Sequence, residues 1–323
     1  MTQKLLDNKE HVLFACAQHQ NYRAVATFNS QSDNNVFIYK DNELVFTSDN
    51  LFFPVFSLKF IEINQCIFLF ICTDNVRVIM VSQIIRQIKI FAPALYFDGI
   101  LQIEFFNQVQ NNKIEDKVML RTGDGRICIF LIQQNFEIVQ EINYKGFASD
   151  LCMFSMGSIV TFGIVSSDNQ PQPKFFFQVC RYIFGDKSIS TIGNRVPLQY
   201  QPDKILLDHR TLDMPQTEIF GFELYTLNLD SIKRLIFSQA QQQYVVEEQL
   251  LFNGGYNNFV LRNNKLILTG NQTIAFYEVD QNSNQYCQII NEKKIDFEGE
   301  NIADGQELMI VGNKGIALVD EMQ

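Results

Sequence analysis

The chain has 323 residues, 46% of them hydrophobic and 19% charged, with a formal net charge of −10 at pH 7. That balance excludes a disordered tail, because there is enough apolar surface to offset the entropy lost on ordering the chain. The acidic excess argues against direct contact with nucleic acid or an anionic membrane, since phosphate binding rests on Lys and Arg displacing counterions.

The segment Met1 to Glu10 carries acids and lacks the apolar stretch of a signal peptide, so a cytoplasmic or nuclear protein is expected. The densest apolar run, Cys66 to Cys72, is far shorter than the roughly 18 residues that span a bilayer. Seven cysteines, an odd number without any C-x-x-C spacing, read as reduced thiols. Asn271-Gln272-Thr273 reads as a turn rather than a glycosylation site.

In chain order a unit recurs: an alternating apolar strand, a short Gly/Asn/Asp turn, a second strand rich in Phe, Ile and Val, another polar turn, then a third strand; its first two strands are the clearest pair. The first pairs are residues 23–28 before 36–39 and 67–71 before 76–81. The third is sharper: Lys117 to Arg121 runs into Thr122-Gly123-Asp124-Gly125 and then Arg126 to Phe130. Residues 159–165 precede 174–181 across a Pro-bearing excursion, and residues 219–227 precede 232–237. Leu266 to Gly270 leads through Asn271-Gln272 into Thr273 to Tyr277, and Glu307 to Val311 leads through Gly312 to Gly315 into Ile316 to Val319. Hairpins of this kind need turn residues that tolerate positive φ. The second strand of each pair begins near 36, 76, 126, 174, 232, 273 and 316, a spacing that brackets the roughly 40 to 45 residues of a propeller blade.

No stretch of about 11 residues or more holds a helical period between caps, so the expected class is all-β. A pair of β-sandwiches would need a linker near mid-chain, and Gln170-Pro171-Gln172-Pro173 is too short for one. Residues 1–323 are therefore expected to form a single domain.

This hairpin pattern and spacing resemble the WD40 repeat over essentially the whole chain. The family's Gly-His pair before a first strand and Trp-Asp at the end of a third are absent; the chain has no Trp at all. The resemblance implies a seven-bladed β-propeller that serves as a rigid platform for proteins or peptides. It also implies that an N-terminal strand, Gln3 to Asp7, closes the last blade, where only one strand follows Gly315. Such closure would remove an open edge.

Chemistry-bearing clusters are sparse. His11, His19 and His209 are the three histidines, and none is spaced to share a metal or a proton with another. Asp208-His209-Arg210, with Asp203 and Asp213 nearby, reads as a structural turn. Cys66 and Cys72 at the ends of one strand would stand about 20 Å apart, too far for one metal. Gly123-Asp124-Gly125 and Gly254-Gly255 lack the phosphate-loop pattern, and Glu247-Glu248 is adjacent rather than set across a cleft. No catalytic residue, metal ligand or cofactor is assigned.

What remains is a set of aromatics at the junctions between units: Phe52 and Phe53, Phe97, Phe147, Phe252 and Phe297. They are candidates for partner binding, because aromatic rings give large contact area at low entropic cost; the competing reading is that they wedge between neighbouring units. The function expected is a non-catalytic scaffold, a single copy within a larger hetero-oligomer of protein partners. The alternative is a reader of a peptide or modified side chain, and a propeller-type hydrolase is the least supported.

Overall fold

A computed structural model describes residues 12–28, 34–91, 99–110, 113–133, 137–145, 148–156, 159–168, 174–183, 187–198, 204–208, 223–228, 231–238, 240, 243–251, 255–262, 265–270, 272–278, 289–295, 299–303, 307–312 and 315–319. Everything described is strand, turn or loop, in seven sheets that are each a meander of consecutive antiparallel strands.

The first sheet contains β1 (Val12–His19), β2 (Tyr22–Phe28), β3 (Val36–Lys40) and β4 (Glu43–Thr47), and the second β5 (Ser57–Ile63), β6 (Cys66–Cys72), β7 (Val76–Met80) and β8 (Arg86–Phe91). The third is β9 (Ile100–Gln110), β10 (Lys113–Thr122), β11 (Arg126–Ile132) and β12 (Ile138–Lys145); the fourth is β13 (Ala148–Met156), β14 (Ile159–Ser167), β15 (Phe175–Ile183) and β16 (Ser188–Leu198). The fifth is β17 (Lys204–Asp208), β18 (Glu223–Asn228), β19 (Ser231–Ser238) and β20 (Gln243–Leu251); the sixth is β21 (Asn258–Arg262), β22 (Lys265–Gly270), β23 (Thr273–Glu278) and β24 (Ile289–Lys294). The seventh has three strands among the described residues, β25 (Gly299–Ala303), β26 (Leu308–Gly312) and β27 (Gly315–Val319). The expected closing strand, Gln3 to Asp7, lies outside the described residues.

The positions 36, 76, 126, 174, 232, 273 and 316 fall within one residue of the starts of β3, β7, β11, β15, β19, β23 and β27. The sequence pattern therefore marked the third strand of every sheet. It undercounted the strands per unit, which number four in six of the sheets. Inner strands such as β6 are buried along nearly their whole length and read as a continuous apolar run, whereas the outermost strands β4 and β8 have no buried position and carry a weaker signal.

The chain divides into two compact units, residues 1–103 with 254–323 and residues 104–253. In the first unit the second sheet packs on the first through Leu58, Leu69, Ile71 and Ile79 against Ala24, Ala26 and Ile38. The seventh packs on the first through Met309, Val311, Ile316 and Leu318 against Val25 and Tyr39. The sixth packs on the seventh through Ile267, Ile274 and Phe276 against Leu308, Ile310 and Ala317. Each such side chain contributes about 1.5 to 3 kcal/mol by leaving water, so the first and last sheets are bound as firmly as neighbours in sequence. In the second unit the third and fourth sheets share a core of Met119, Ile127, Ile129, Phe162, Ile164 and Tyr182.

Candidate interaction site

Because six of the sheets are four-strand meanders, the middle turn of each, between its second and third strands, lies at the same end as the connection that leaves the sheet. The backbone confirms this in the first unit: Leu51 N donates to Asn34 O at 2.9 Å, Ile100 N to Thr73 O at 2.7 Å and Ile295 N to Gln272 O at 2.8 Å. Outgoing connections are thus pinned across the middle turns.

Those turns share a device that sequence reasoning missed. Thr27, Thr73, Thr122 and Ser166 are all buried at the ends of second strands. Thr73 Oγ1 accepts from Asn75 N at 3.3 Å and donates to Asp74 Oδ1 at 2.9 Å. Thr122 Oγ1 accepts from Arg126 N at 3.1 Å and donates to Asp124 Oδ1 at 2.5 Å, while Asp124 pairs with Arg126 Nε at 2.7 Å. Thr27 Oγ1 likewise accepts from Asn35 N at 3.3 Å. The hydroxyl satisfies a backbone donor that the ladder leaves unpaired as the chain turns. The detectable signal was a Ser or Thr followed within two residues by Asp, as in Thr73-Asp74, Thr122-Gly123-Asp124 and Ser166-Ser167-Asp168.

The connection from the first to the second sheet is built differently. Ser48 N donates to Val36 O at 2.9 Å and Val36 N to Ser48 Oγ at 2.8 Å, which fixes its start; Phe56 N donates to Cys72 O at 2.9 Å, which fixes its end. Leu51 and Val55 are buried in the core between the two sheets. Between them, Phe53 N donates to Leu51 O at 2.7 Å, closing a three-residue turn with Phe52 at its apex and φ +58°. Asn50 Oδ1 accepts from Phe52 N at 3.0 Å and Asn34 N at 3.3 Å, locking the turn from below.

A bulky side chain at positive φ is uncommon and costs on the order of 1 kcal/mol or more. Here it aims two aromatic rings outward: Phe52 is 74% exposed and Phe53 49%. Asp49 is exposed beside them. The arrangement is a rigid apolar knob with an acidic flank. Of the six aromatics singled out from sequence, these two lie among the described residues; Phe97, Phe147, Phe252 and Phe297 lie outside them.

The opposite end of the same sheets carries polar clamps. Gln18 Nε2 donates to Ala303 O at 2.7 Å and also to Glu307 O, and Arg23 pairs with Glu307 at 2.7 Å, tying the first sheet to the seventh. His19 Nε2 stands 3.1 Å from Glu62 Oε2, which also accepts from Gln20 Nε2 at 3.2 Å. His19 is thus engaged in a structural bridge, while His11 and His209 lie outside the described residues. Among the described residues no group of three His, Cys, Asp or Glu converges as a metal site requires.

Cys16, Cys66, Cys72, Cys128 and Cys180 form no disulfide among the described residues; Cys287 and the side chain of Cys152 lie outside the described residues. Burial pushes Cys128 up to about 11 and Cys180 up to about 12, and raises Cys72 still more strongly. These three are core residues rather than nucleophiles. Among the described residues no helix is long and apolar enough to cross a membrane.

No protein-family model matches the sequence, and no curated protein sequence does either. Solved structures do match in fold. BBS1N, crystallised in complex with ARL6DN, superimposes with a TM-score of 0.63 at 10% identity, covering 98% of this chain and 94% of that one. A protein from Lactobacillus plantarum gives 0.62 at 9% identity over 95% of this chain and 88% of its own. Saccharomyces cerevisiae Sqt1 gives 0.60 at 10% identity over 98% of both. At such identity the likeness concerns the fold alone, and that fold is all-β and of the propeller type.

Proposed function

We propose that this chain is a non-catalytic, protein-binding propeller of the WD40-like kind, with seven blades closed by its N-terminal strand, acting as one subunit of a larger cytoplasmic or nuclear assembly. The observation that carries this reading is the Phe52–Phe53 knob: two exposed aromatic rings held on a strained turn by Asn50, Leu51 and Val55. Strain kept at an exposed apolar point serves presentation, because a packing role would bury the rings.

The knob fits an apolar pocket of a protein partner whose rim carries Lys or Arg opposite Asp49. Rings of this kind act as anchors when a partner pocket excludes water around them. Protein partnership has a precedent among structures of similar fold, since BBS1N was crystallised with ARL6DN. The packing of the seventh sheet on the first supports ring closure.

The test is affinity purification of the tagged chain from its native cells after a high-salt wash, with quantitative mass spectrometry. Partners in fixed stoichiometry are expected. Recovery of the chain alone would overturn the assembly role.

A further inference from the structure

The outermost strand of the second sheet differs from the rest of this acidic molecule. Between Asp74 and Asp98 the sequence holds Arg77, Arg86 and Lys89 and not one acid, inside a chain of net charge −10. No carboxylate among the described residues pairs with Arg86 or Lys89. The strand order β5-β6-β7-β8 leaves β8 as the edge of its sheet among the described residues.

The register sorts its side chains onto two faces. Arg86 stands opposite Met80 and Lys89 opposite Val78, so both bases lie on one face; Gln87 opposite Ile79 and Ile90 opposite Arg77 lie on the other. The register shift between Val78 and Ile79 keeps Arg86 and Lys89 on the same side although they are three residues apart. Ile90 is 47% exposed, and Ile84, just before the strand, is 67% exposed. Phe91, opposite Val76, shares the face of the two bases, and the exposed Ile90 stands on the other face beside Gln87. An edge strand with its two bases on one face and an exposed apolar group on the other is a template for a strand that alternates acidic and apolar residues.

We propose that β8 is a strand-addition site for an extended segment of a partner protein in which acidic and β-branched apolar residues alternate. Its backbone continues the hydrogen-bond ladder of the second sheet. Its carboxylates meet Arg86 and Lys89, and its apolar side chains lie over Ile90 and the stem of Arg77. This surface is separate from the Phe52–Phe53 knob and does not depend on it.

The experiment uses the purified full chain and a capped, fluorescein-labelled nonapeptide of alternating Glu and Val, followed by fluorescence anisotropy. Saturable binding is expected, weakened about tenfold by R86E/K89E and by exchanging Glu for Lys in the peptide, as cross-strand charge pairs require. Placing Pro at the peptide's centre removes a ladder donor and should abolish binding. Circular dichroism and an unchanged urea-unfolding midpoint confirm that R86E/K89E is folded. The proposal is overturned by no binding at millimolar peptide, by binding that survives R86E/K89E, or by equal binding of the Pro peptide, which would leave only charge attraction. Self-association in sedimentation that R86E/K89E abolishes would also overturn it, by making the occupant a second copy of the chain.

Discussion

The two ends of the first and second sheets handle positive φ in opposite ways. At one end the two-residue hairpin turns Asp41-Asn42 and Asn64-Gln65 take both residues to positive φ, as a tight hairpin between twisted strands demands. Asn21 Nδ2 adds a bond to Asp41 Oδ2 at 3.0 Å, and Glu62 gathers His19 and Gln20. At the other end the middle turns are satisfied by buried hydroxyls, yet the outgoing connection places Phe52 at φ +58° in solvent. The first end uses strain to close hairpins. The second spends it on holding two rings outward, which contributes nothing to the packing of either sheet.

Substitutions can break this contrast, beginning with a close backbone contact at the equivalent end of the sixth sheet. Gly270 lies where the incoming connection presses on its middle turn, and an added Cβ would collide with Gly255 O and Tyr256 Cα. Because backbone atoms cannot yield as a side-chain tip can, Gly270→Ala should cost about 3 kcal/mol in urea unfolding. Thr73→Val removes the hydroxyl that Asn75 N and Asp74 share. The loss should be about 2 kcal/mol, since a buried backbone donor is left unpaired. Both numbers test whether the middle turns are structural.

Phe52→Gly should behave in the reverse sense. Glycine relieves the positive φ and Phe52 buries little, so stability should rise by about 0.5 kcal/mol after the entropy that glycine gains in the unfolded chain. A loss of stability would mean that the ring packs after all.

The smallest effect is chemical. Cys66 and Cys72 cap opposite ends of β6, the first half-buried and the second fully buried. Cys66 should therefore react with a thiol reagent in the native protein while Cys72 does not. The same burial has a pH consequence with a definite sign. Thiols whose folded values are raised contribute stability that is intact below the ordinary 9.0 and is lost as pH rises toward about 11 for Cys128 and about 12 for Cys180. Denaturant midpoints should hold steady up to pH 8 and fall from pH 9 onward, toward about 11 for Cys128 and about 12 for Cys180.

The fold was legible where burial is two-sided. Second and third strands hold the longest apolar runs, β6 without a break and β7 broken only by Arg77, and their shared turn carries Gly, Asp or Asn. Outer strands were harder to place because polar residues interrupt them: Glu43 and Thr47 in β4, and Arg86, Gln87 and Lys89 in β8, leave no continuous apolar run, so a unit of three strands was read where the sheets have four. At the site, sequence supplied Phe52 and Phe53 as residues but not their geometry. Nothing in Asn50-Leu51-Phe52-Phe53-Pro54 announces that the first Phe occupies the left-handed region, because that depends on the bonds from Asn34 and the burial of Leu51 and Val55 in a neighbouring core. The Thr hydroxyls left a short pattern in Thr73-Asp74 and Thr122-Gly123-Asp124, but only the three-dimensional turn shows which donor each one satisfies.

The most direct test of the account is a comparison of partner recovery between the wild-type chain and F52G/F53S, both purified from native cells and both shown to unfold at the same denaturant concentration or higher. The account predicts that the stoichiometric partner falls to background with the double substitution while the protein stays folded. Full recovery of that partner with F52G/F53S would contradict it, and the exposed rings would then have no part in assembly.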